Sequence, residues 1–327
     1  PDILHTTLVR GNIKTDIYGR CGIYYVSDQD TSSISEMCDM AKLAKAYITN
    51  EYVQPYAVFN ESMRKDYSGK SVSLVNLDSA LQKNEFKVYY QPIYDAKTGK
   101  IASAEALIRW ISPEYGFLSP GRFIPLFERD GNLEILDRHV LKLACRQLRQ
   151  WLDAGYKAVP ISVNISRRNI VGGNNFLAYA LDVLAEYQIP INLIQLEILE
   201  TDASVDSKLL IRFLQIFKSS GFSLAMDDFG SGYSSLGMFN SMPIDCLKLD
   251  KSFFDSWQPD MSERDSCLIK YMIKAAHDTG RTVVDEGIEE KFQVDLLRQY
   301  DCDMIQGYYF SKPLPAEEFA SKMHKRV

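Results

Sequence analysis

No apolar run in this chain approaches the roughly 20 residues that a membrane-spanning helix needs. The opening Pro1-Asp2-Ile3-Leu4-His5 has neither the charged nor the apolar region of a secretory leader, so a soluble, cytoplasmic protein without membrane contact is expected. Basic clusters are missing too, since 37 Lys and Arg stand against 43 Asp and Glu, for a net charge of -6. Affinity for polymeric nucleic acid rests on clustered Lys and Arg, so that partner class is set aside and any phosphate-bearing ligand should be small. The six cysteines, at 21, 38, 145, 246, 267 and 302, form no C-x-x-C pair, and the four histidines, at 5, 139, 277 and 324, join no ligand cluster. A Cys/His zinc site is thereby excluded, and reduced thiols in a reducing compartment are expected.

What is present is ordinary globular material, 327 residues with 46% hydrophobic and 24% charged. That length suits about two domains of roughly 150 residues, or one large barrel with a smaller piece. From residue 85 onward, β-rich runs alternate with amphipathic stretches, which predicts strands at 86–93, 101–110, 159–166, 193–200, 222–228, 246–250, 282–287 and 304–310. Residues 135–154 carry Leu141, Ala144, Leu148 and Trp151 on one helical face and stop at Gly155; further helices fit 175–187, 206–219 and 264–279. Eight such strands with crossover helices predict an α/β fold, a (β/α)8 TIM-like barrel over 85–327. Residues 1–65 read as a small partial α+β segment, with strands at 21–26 and 56–60 around a helix at 35–49, and 66–84 as a helical connector.

The acids fall in unexpected places. Glu105, Glu197, Asp227, Asp228 and Glu286 each lie inside or at the downstream end of a β-rich, otherwise apolar run. In a parallel barrel those ends converge on one mouth, and Asn164 joins them there as a neutral oxygen donor. Ionised carboxylates so gathered repel one another, so protons or a cation must sit among them. Oxygen ligands without Cys or His select hard ions such as Mg2+ or Mn2+. Adjacent Asp227 and Asp228 invite a second ion; neighbours in a regular strand face opposite sides, so both reach the mouth only if the strand ends there, at Gly230-Ser231-Gly232. Two such ions about 3.5–4 Å apart suit in-line hydrolysis of a phosphodiester. Lys248, within an apolar strand, is costly unless it faces those carboxylates or an anion. Arg109 shares the face of Glu105 and could grip a phosphate bidentately. A single strand acid is usually a rim residue or ion-pair partner; only the set argues for a site. Tyr89, Tyr90, Tyr308, Tyr309 and Phe310 are expected to pack in the core.

The chain resembles the EAL-domain family of cyclic di-GMP phosphodiesterases over about residues 78–327. The resemblance rests on Tyr90-Gln91-Pro92-Ile93, Glu105-Ala106-Leu107-Ile108-Arg109-Trp110, Ser119-Pro120 with Phe123-Ile124-Pro125, Asn164-Ile165-Ser166, Leu196-Glu197-Ile198-Leu199-Glu200-Thr201, Asp227-Asp228-Phe229-Gly230, Lys248-Leu249-Asp250, Glu286-Gly287-Ile288-Glu289 and Gln306-Gly307-Tyr308. It implies a barrel whose first strand runs against the others. It also implies one metal on Glu105, Asn164, Glu197 and Asp227 and a second on shared Asp227 with Asp228, partly through water. By the same resemblance Glu286 would hold the catalytic water or second metal as a candidate general base, and Lys248 would orient that water. Gln306 and Asp250 would support the site, Arg109 and more weakly Gln91 would contact substrate, and Glu200 would anchor the 229–236 loop, which in the family couples to dimerisation. The reaction implied is hydrolysis of cyclic di-GMP to linear pGpG in bacterial second-messenger signalling, with two Mg2+ or Mn2+ required, Ca2+ inhibitory and a homodimer through the barrel.

Two departures stand out. Ser231 replaces the usual Thr, and Asp285 stands where a small residue, commonly Ala, precedes the catalytic Glu; strand geometry should point Asp285 away from Glu286, toward a partner among the helices. Residues 1–65 resemble the C-terminal half of a GGDEF domain through Gly22-Ile23-Tyr24 and Cys38-Asp39-Met40-Ala41-Lys42-Leu43-Ala44-Lys45, without the Gly-Gly-Asp-Glu-Phe signature. A fragment of a longer protein with an upstream sensor or GGDEF region is therefore expected. The alternatives are a catalytically silent cyclic di-GMP receptor and an enolase-type enzyme with Lys248 as base.

Overall fold

The computed structural model describes residues 5–10, 13–18, 21–26, 34–46, 55–60, 77–114, 116–129, 131–171, 175–200, 207–230, 240–259 and 261–323. The chain divides into two units, Pro1–Ser79 and Ala80–Val327. In the first, β1 (His5–Arg10) and β2 (Ile13–Tyr18) form an antiparallel pair that the sequence reading did not anticipate. Strands β3 (Cys21–Ile23) and β4 (Tyr56–Val58) pair in parallel, as the intervening helix Ile34–Ala46 allows. Ala44 and Ala57 are buried together with Phe59 packed on them. Both strands are shorter than expected, and of the expected helix residues 47–49 lie outside the described residues. Of the expected connector, residues 66–76 lie outside the described residues, and Leu77–Gln82 is helical.

The second unit holds β5 (Phe86–Asp95), β6 (Ile101–Ser112), β7 (Gly116–Leu118), β8 (Ile161–Asn164), β9 (Ile194–Leu199), β10 (Ser223–Phe229), β11 (Cys246–Leu249), β12 (Thr282–Asp285) and β13 (Met304–Ile305). Strands β6 and β8 through β13 lie side by side in parallel, and β5 closes the barrel antiparallel to both β6 and β13. The antiparallel first strand has a local cause. Residues 96–100 are too few for a crossover helix, so the chain reverses in a turn in which Asp95 Oδ1 accepts from Thr98 N at 2.6 Å and Thr98 Oγ1 at 2.7 Å. The expected α/β barrel is thus the observed one, with the short β7 added as a hairpin on β6.

Helix Leu133–Asp153 buries Leu141, Ala144, Leu148 and Trp151, the face read from the sequence. At its start Phe86, Trp110, Phe123 and Phe127 pack together with ring centroids 5.1–6.2 Å apart. Inside the barrel Ile93, Ala225, Cys246 and Val284 form an apolar plug with Met304 against it. Successive strand residues alternate between faces, so the residues two positions nearer the mouth on those strands are Gln91, Asp227, Lys248, Glu286 and Gln306. The floor of the mouth is built on that plug.

One predicted strand is much shorter than expected. The run at 304–310 ends at Ile305, and the chain then turns with Phe310 N donating to Gly307 O at 3.1 Å, at a glycine packed so closely on the Ile288 backbone that a Cβ would stand 2.0 Å from its carbonyl oxygen. Tyr308 and Tyr309 are therefore exposed, 56% and 40%, rather than in the core. Phe310 instead stacks on Tyr94 at 4.6 Å.

Candidate functional site

At the mouth the ammonium of Lys248, 1% exposed, stands among four carboxylates. Its Nζ lies 2.7 Å from Glu286 Oε1, 2.8 Å from Asp227 Oδ1, 3.0 Å from Glu197 Oε2 and 3.5 Å from Glu105 Oε2. Neighbouring amides complete the ring. Asn164 Nδ2 donates to Glu105 Oε1 at 3.1 Å, and Gln306 Nε2 to Glu105 Oε2 at 2.7 Å. With its nitrogen so used, Asn164 keeps its amide oxygen for a cation.

Asp228 arrives by an unexpected route. Strand β10 does not end before it; the register with β11 shifts between Met226 and Phe229, and Asp228 takes a left-handed φ of 54°. This bulge turns a residue that regular alternation would point outward toward the mouth, and such local strain is concentrated at functional sites. Gly230 follows at φ 98°, where a Cβ would strike the Phe253 ring at 2.1 Å. Glu200 Oε2 accepts from Gly230 N at 2.6 Å, at the start of the loop it was expected to anchor; residues 231–239 lie outside the described residues.

Five acids with one lysine leave a strong excess of negative charge, and their protonation reflects it. Burial pushes Glu197 up to about 8 in spite of Lys248, and Asp228 up to about 6 with help from Asp227. Burial raises Glu286 well above its usual range. For Lys248 burial acts downward, but Asp227, Glu105, Glu197 and Glu286 outweigh it and hold the amine well above its ordinary value.

The donor set fits hard cations. Ligand oxygens of Glu105, Glu197 and Asp227 lie within 4.8 Å of one another, as do those of Asp227, Asp228 and Glu286, and Asp227 belongs to both groups. The buried Glu197 Oε1 has no hydrogen-bond partner among the described residues. A protonated carboxyl is a poor ligand, so Mn2+ affinity should rise with pH across the window from about 6 to about 8 set by Asp228 and Glu197. Calorimetric titration near pH 5 and near pH 9, in buffers of different ionisation enthalpy, should show tighter binding and fewer protons released at the higher value; equal affinities would contradict this.

Around this centre, Arg109 is half-buried, donates from Nη1 to Ile108 O at 2.9 Å and lies 5.7 Å from the Tyr89 ring centroid. Gln91 pairs with Glu105 across β5 and β6. Asp250 sits one step back, accepting from Ser252 N at 3.0 Å to cap a short turn. A cavity of about 590 Å³ opens beside the cluster, touching Asn164 and Asp227 and lined by Leu107, Ile124, Leu136 and Arg168. Sequence reasoning missed this cavity and the buried Asp137 in its wall, although an acid on the apolar stripe of helix Leu133–Asp153 was a visible signal.

Asp285 does point away from the mouth and is fully buried, beside the Cys302 thiol. Its neighbour there is the Cys302 thiol, which favours the ionised carboxylate, while Cys302 Sγ also donates to Met304 O at 3.1 Å. Burial pushes Asp285 up to about 7 from its ordinary 3.8. The folded state therefore favours the proton, and stability falls as pH rises from about 4 to about 7, where the unfolded chain alone ionises freely. Asp285→Ala should stabilise the protein by about 1–3 kcal/mol, more at pH 8 than at pH 5, with turnover retained. Denaturant titrations at those two values check it; a loss of stability at pH 8 would show a hidden partner.

Comparison with known proteins identifies the family of the chain. The EAL domain family matches residues 75–313. The chain is 33% identical over 303 residues to the oxygen sensor protein DosP of Escherichia coli, covering 90% of this chain and 38% of that protein. It is 36% identical over 246 residues to the cyclic di-GMP phosphodiesterase NbdA of Pseudomonas aeruginosa, covering 74% and 31%. The chain thus spans about a third of the length of these relatives. Among solved structures, the PaMucR phosphodiesterase in complex with c-di-GMP superposes with a TM-score of 0.69 at 30% identity, covering 76% of this chain and 99% of that one. An EAL domain protein from Listeria monocytogenes gives 0.63 at 32%, covering 75% and 94%. With the family spanning most of the chain and the acids of its motifs gathered at one barrel mouth, this protein belongs to the EAL domain family.

Proposed function

We propose that the barrel hydrolyses cyclic di-GMP to linear pGpG. The observation that carries the reading is the pair of carboxylate groups sharing Asp227 around a buried lysine, next to a cavity able to take a base. Glu105, Asn164, Glu197 and Asp227 would hold one Mg2+ or Mn2+, and Asp227, Asp228 and Glu286 a second. When bound, these ions supply charge neutralisation on the phosphate and a more acidic water. Glu286, in its ionised form, takes the proton of the attacking water as the water oxygen joins phosphorus and one P–O ester bond breaks, the leaving ribose oxygen taking up a proton in turn. Lys248, 2.7 Å from Glu286 and 2.8 Å from Asp227, orients that water and offsets the charge of the acids. Arg109 at the rim meets the phosphate, with Gln91 a weaker contact, while Gln306, Glu200 and Asp250 hold the frame.

Sequence resemblance adds that Ca2+ should inhibit, that the barrel pairs as a homodimer, and that residues 1–65 are the C-terminal part of a GGDEF-like domain, with an upstream sensor or GGDEF region of the full-length protein as partner. Incubation of the protein with cyclic di-GMP should yield pGpG with Mg2+ or Mn2+ and none with Ca2+. Binding without turnover under all three ions would favour a silent receptor, and absence of binding would end the proposal. Sedimentation at several concentrations checks the dimer.

A further inference from the structure

We infer that Asp137 is a positioning residue that sets the metal affinity of the site through Asn164. Asp137 lies on helix Leu133–Asp153 and is 8% exposed. Its Oδ2 accepts two hydrogen bonds, from Ser166 N at 2.8 Å and from Asn169 Nδ2 at 2.9 Å. Asn169, 3% exposed, is itself tied to the same helix, donating to Glu134 O at 3.1 Å and accepting from Arg138 Nε at 3.4 Å. The segment that leaves β8 just beyond Asn164 is therefore clamped to one side by this carboxylate. On the other side Ile165 N donates to Glu197 O at 2.9 Å. Asn164 is held between these two fixings, with its Nδ2 on Glu105.

Asp137 stands in the cavity wall with Leu133, Leu136, Val140 and Ile165. The bonds to Ser166 and Asn169 narrow the positions open to Asn164. Partners that orient metal ligands typically govern affinity by about 10–100-fold. Both bonds end on one oxygen, so an asparagine at 137 can still accept them.

This rests on the reading of Asn164 as a ligand, and the experiment separates the two. Mn2+ binding to the full chain would be measured by calorimetry for the parent, Asn164→Ala, Asp137→Ala, Asp137→Asn and Asn169→Ala, with thermal melts of the metal-free proteins alongside. Asp137→Ala should weaken Mn2+ roughly 10-fold, Asp137→Asn should recover most of that, and turnover of Asp137→Ala should return at saturating Mn2+. Asn169→Ala, which removes one of the two bonds, should give a smaller loss and serves if the Asp137→Ala chain does not fold. Unchanged binding in Asn164→Ala overturns the ligand assignment and the inference with it. Weakened binding in Asn164→Ala with parental binding in Asp137→Ala and Asn169→Ala, or no recovery in Asp137→Asn, overturns the positioning role alone.

Discussion

Asp227→Asn should lower turnover by at least about 10³-fold while raising the melting temperature of the metal-free protein. The two effects have one cause. Asp227 belongs to both groups of ligand oxygens, so its loss weakens each cation site at once, and charge acting on the transition state is worth roughly 10²–10³ per removed group. In the absence of metal the same carboxylate is one of five acids facing a single lysine, and Lys248 keeps Glu105, Glu197 and Glu286 as partners when it goes. Removing one charge from that set relieves repulsion worth about 1–2 kcal/mol at a protein-like dielectric. Stability given up for function is expected where a site must hold like charges together. Kinetics with excess Mn2+ and melts in chelator read the two signs separately. A fall in both, or parental turnover, would place Asp227 outside the role assigned to it.

Lys248→Ala should give the opposite stability result. The ammonium is the one cation within 3.5 Å of four carboxylates among the described residues, and its removal leaves those charges buried and facing one another. Breaking a buried ion pair from one side costs about 3–5 kcal/mol, which in a chain of this size lowers the melting temperature by roughly 5–10 °C. Some of the loss will be met by proton uptake on Glu197 and Glu286, both already raised by burial, so the deficit should grow with pH. Mn2+ should restore most of it, since a divalent ion supplies the missing positive charge. Turnover should stay about 10²-fold down even with metal saturating, the loss falling on kcat, because the ammonium also orients the water. If the variant melts like its parent in chelator, the lysine is not the counter-charge of the cluster.

Much of this was legible before any coordinates. Acids at the ends of successive β-rich runs, with a lysine in an apolar strand, define the site because a barrel leads all those ends to one mouth. The antiparallel β5 was legible as well, in the five residues joining it to β6, though only the family resemblance supplied it. Less legible was Asp228. Alternation alone sends it outward, and its left-handed backbone within a bulge is a compromise among β10, β11 and the packing of Gly230 on Phe253. Tyr308 and Tyr309 misled for a similar reason: their composition suits a strand, but the chain turns at Gly307–Phe310 after Ile305.

What the amino-acid order determined by itself is periodic and local: which residues alternate inward, where helices stop, and which oxygen donors travel on which strand. Tertiary structure alone decided how far apart those donors stand, that Lys248 sits among four of them, that Asp285 is buried beside the Cys302 thiol, and that Asp137 reaches across to the segment after Asn164. The reason is physical. Alternation and capping depend on neighbours a few residues away, whereas burial, charge neutralisation and hydrogen bonding between side chains depend on the closure of the whole barrel, which brings Glu105 within reach of a glutamine 201 residues later.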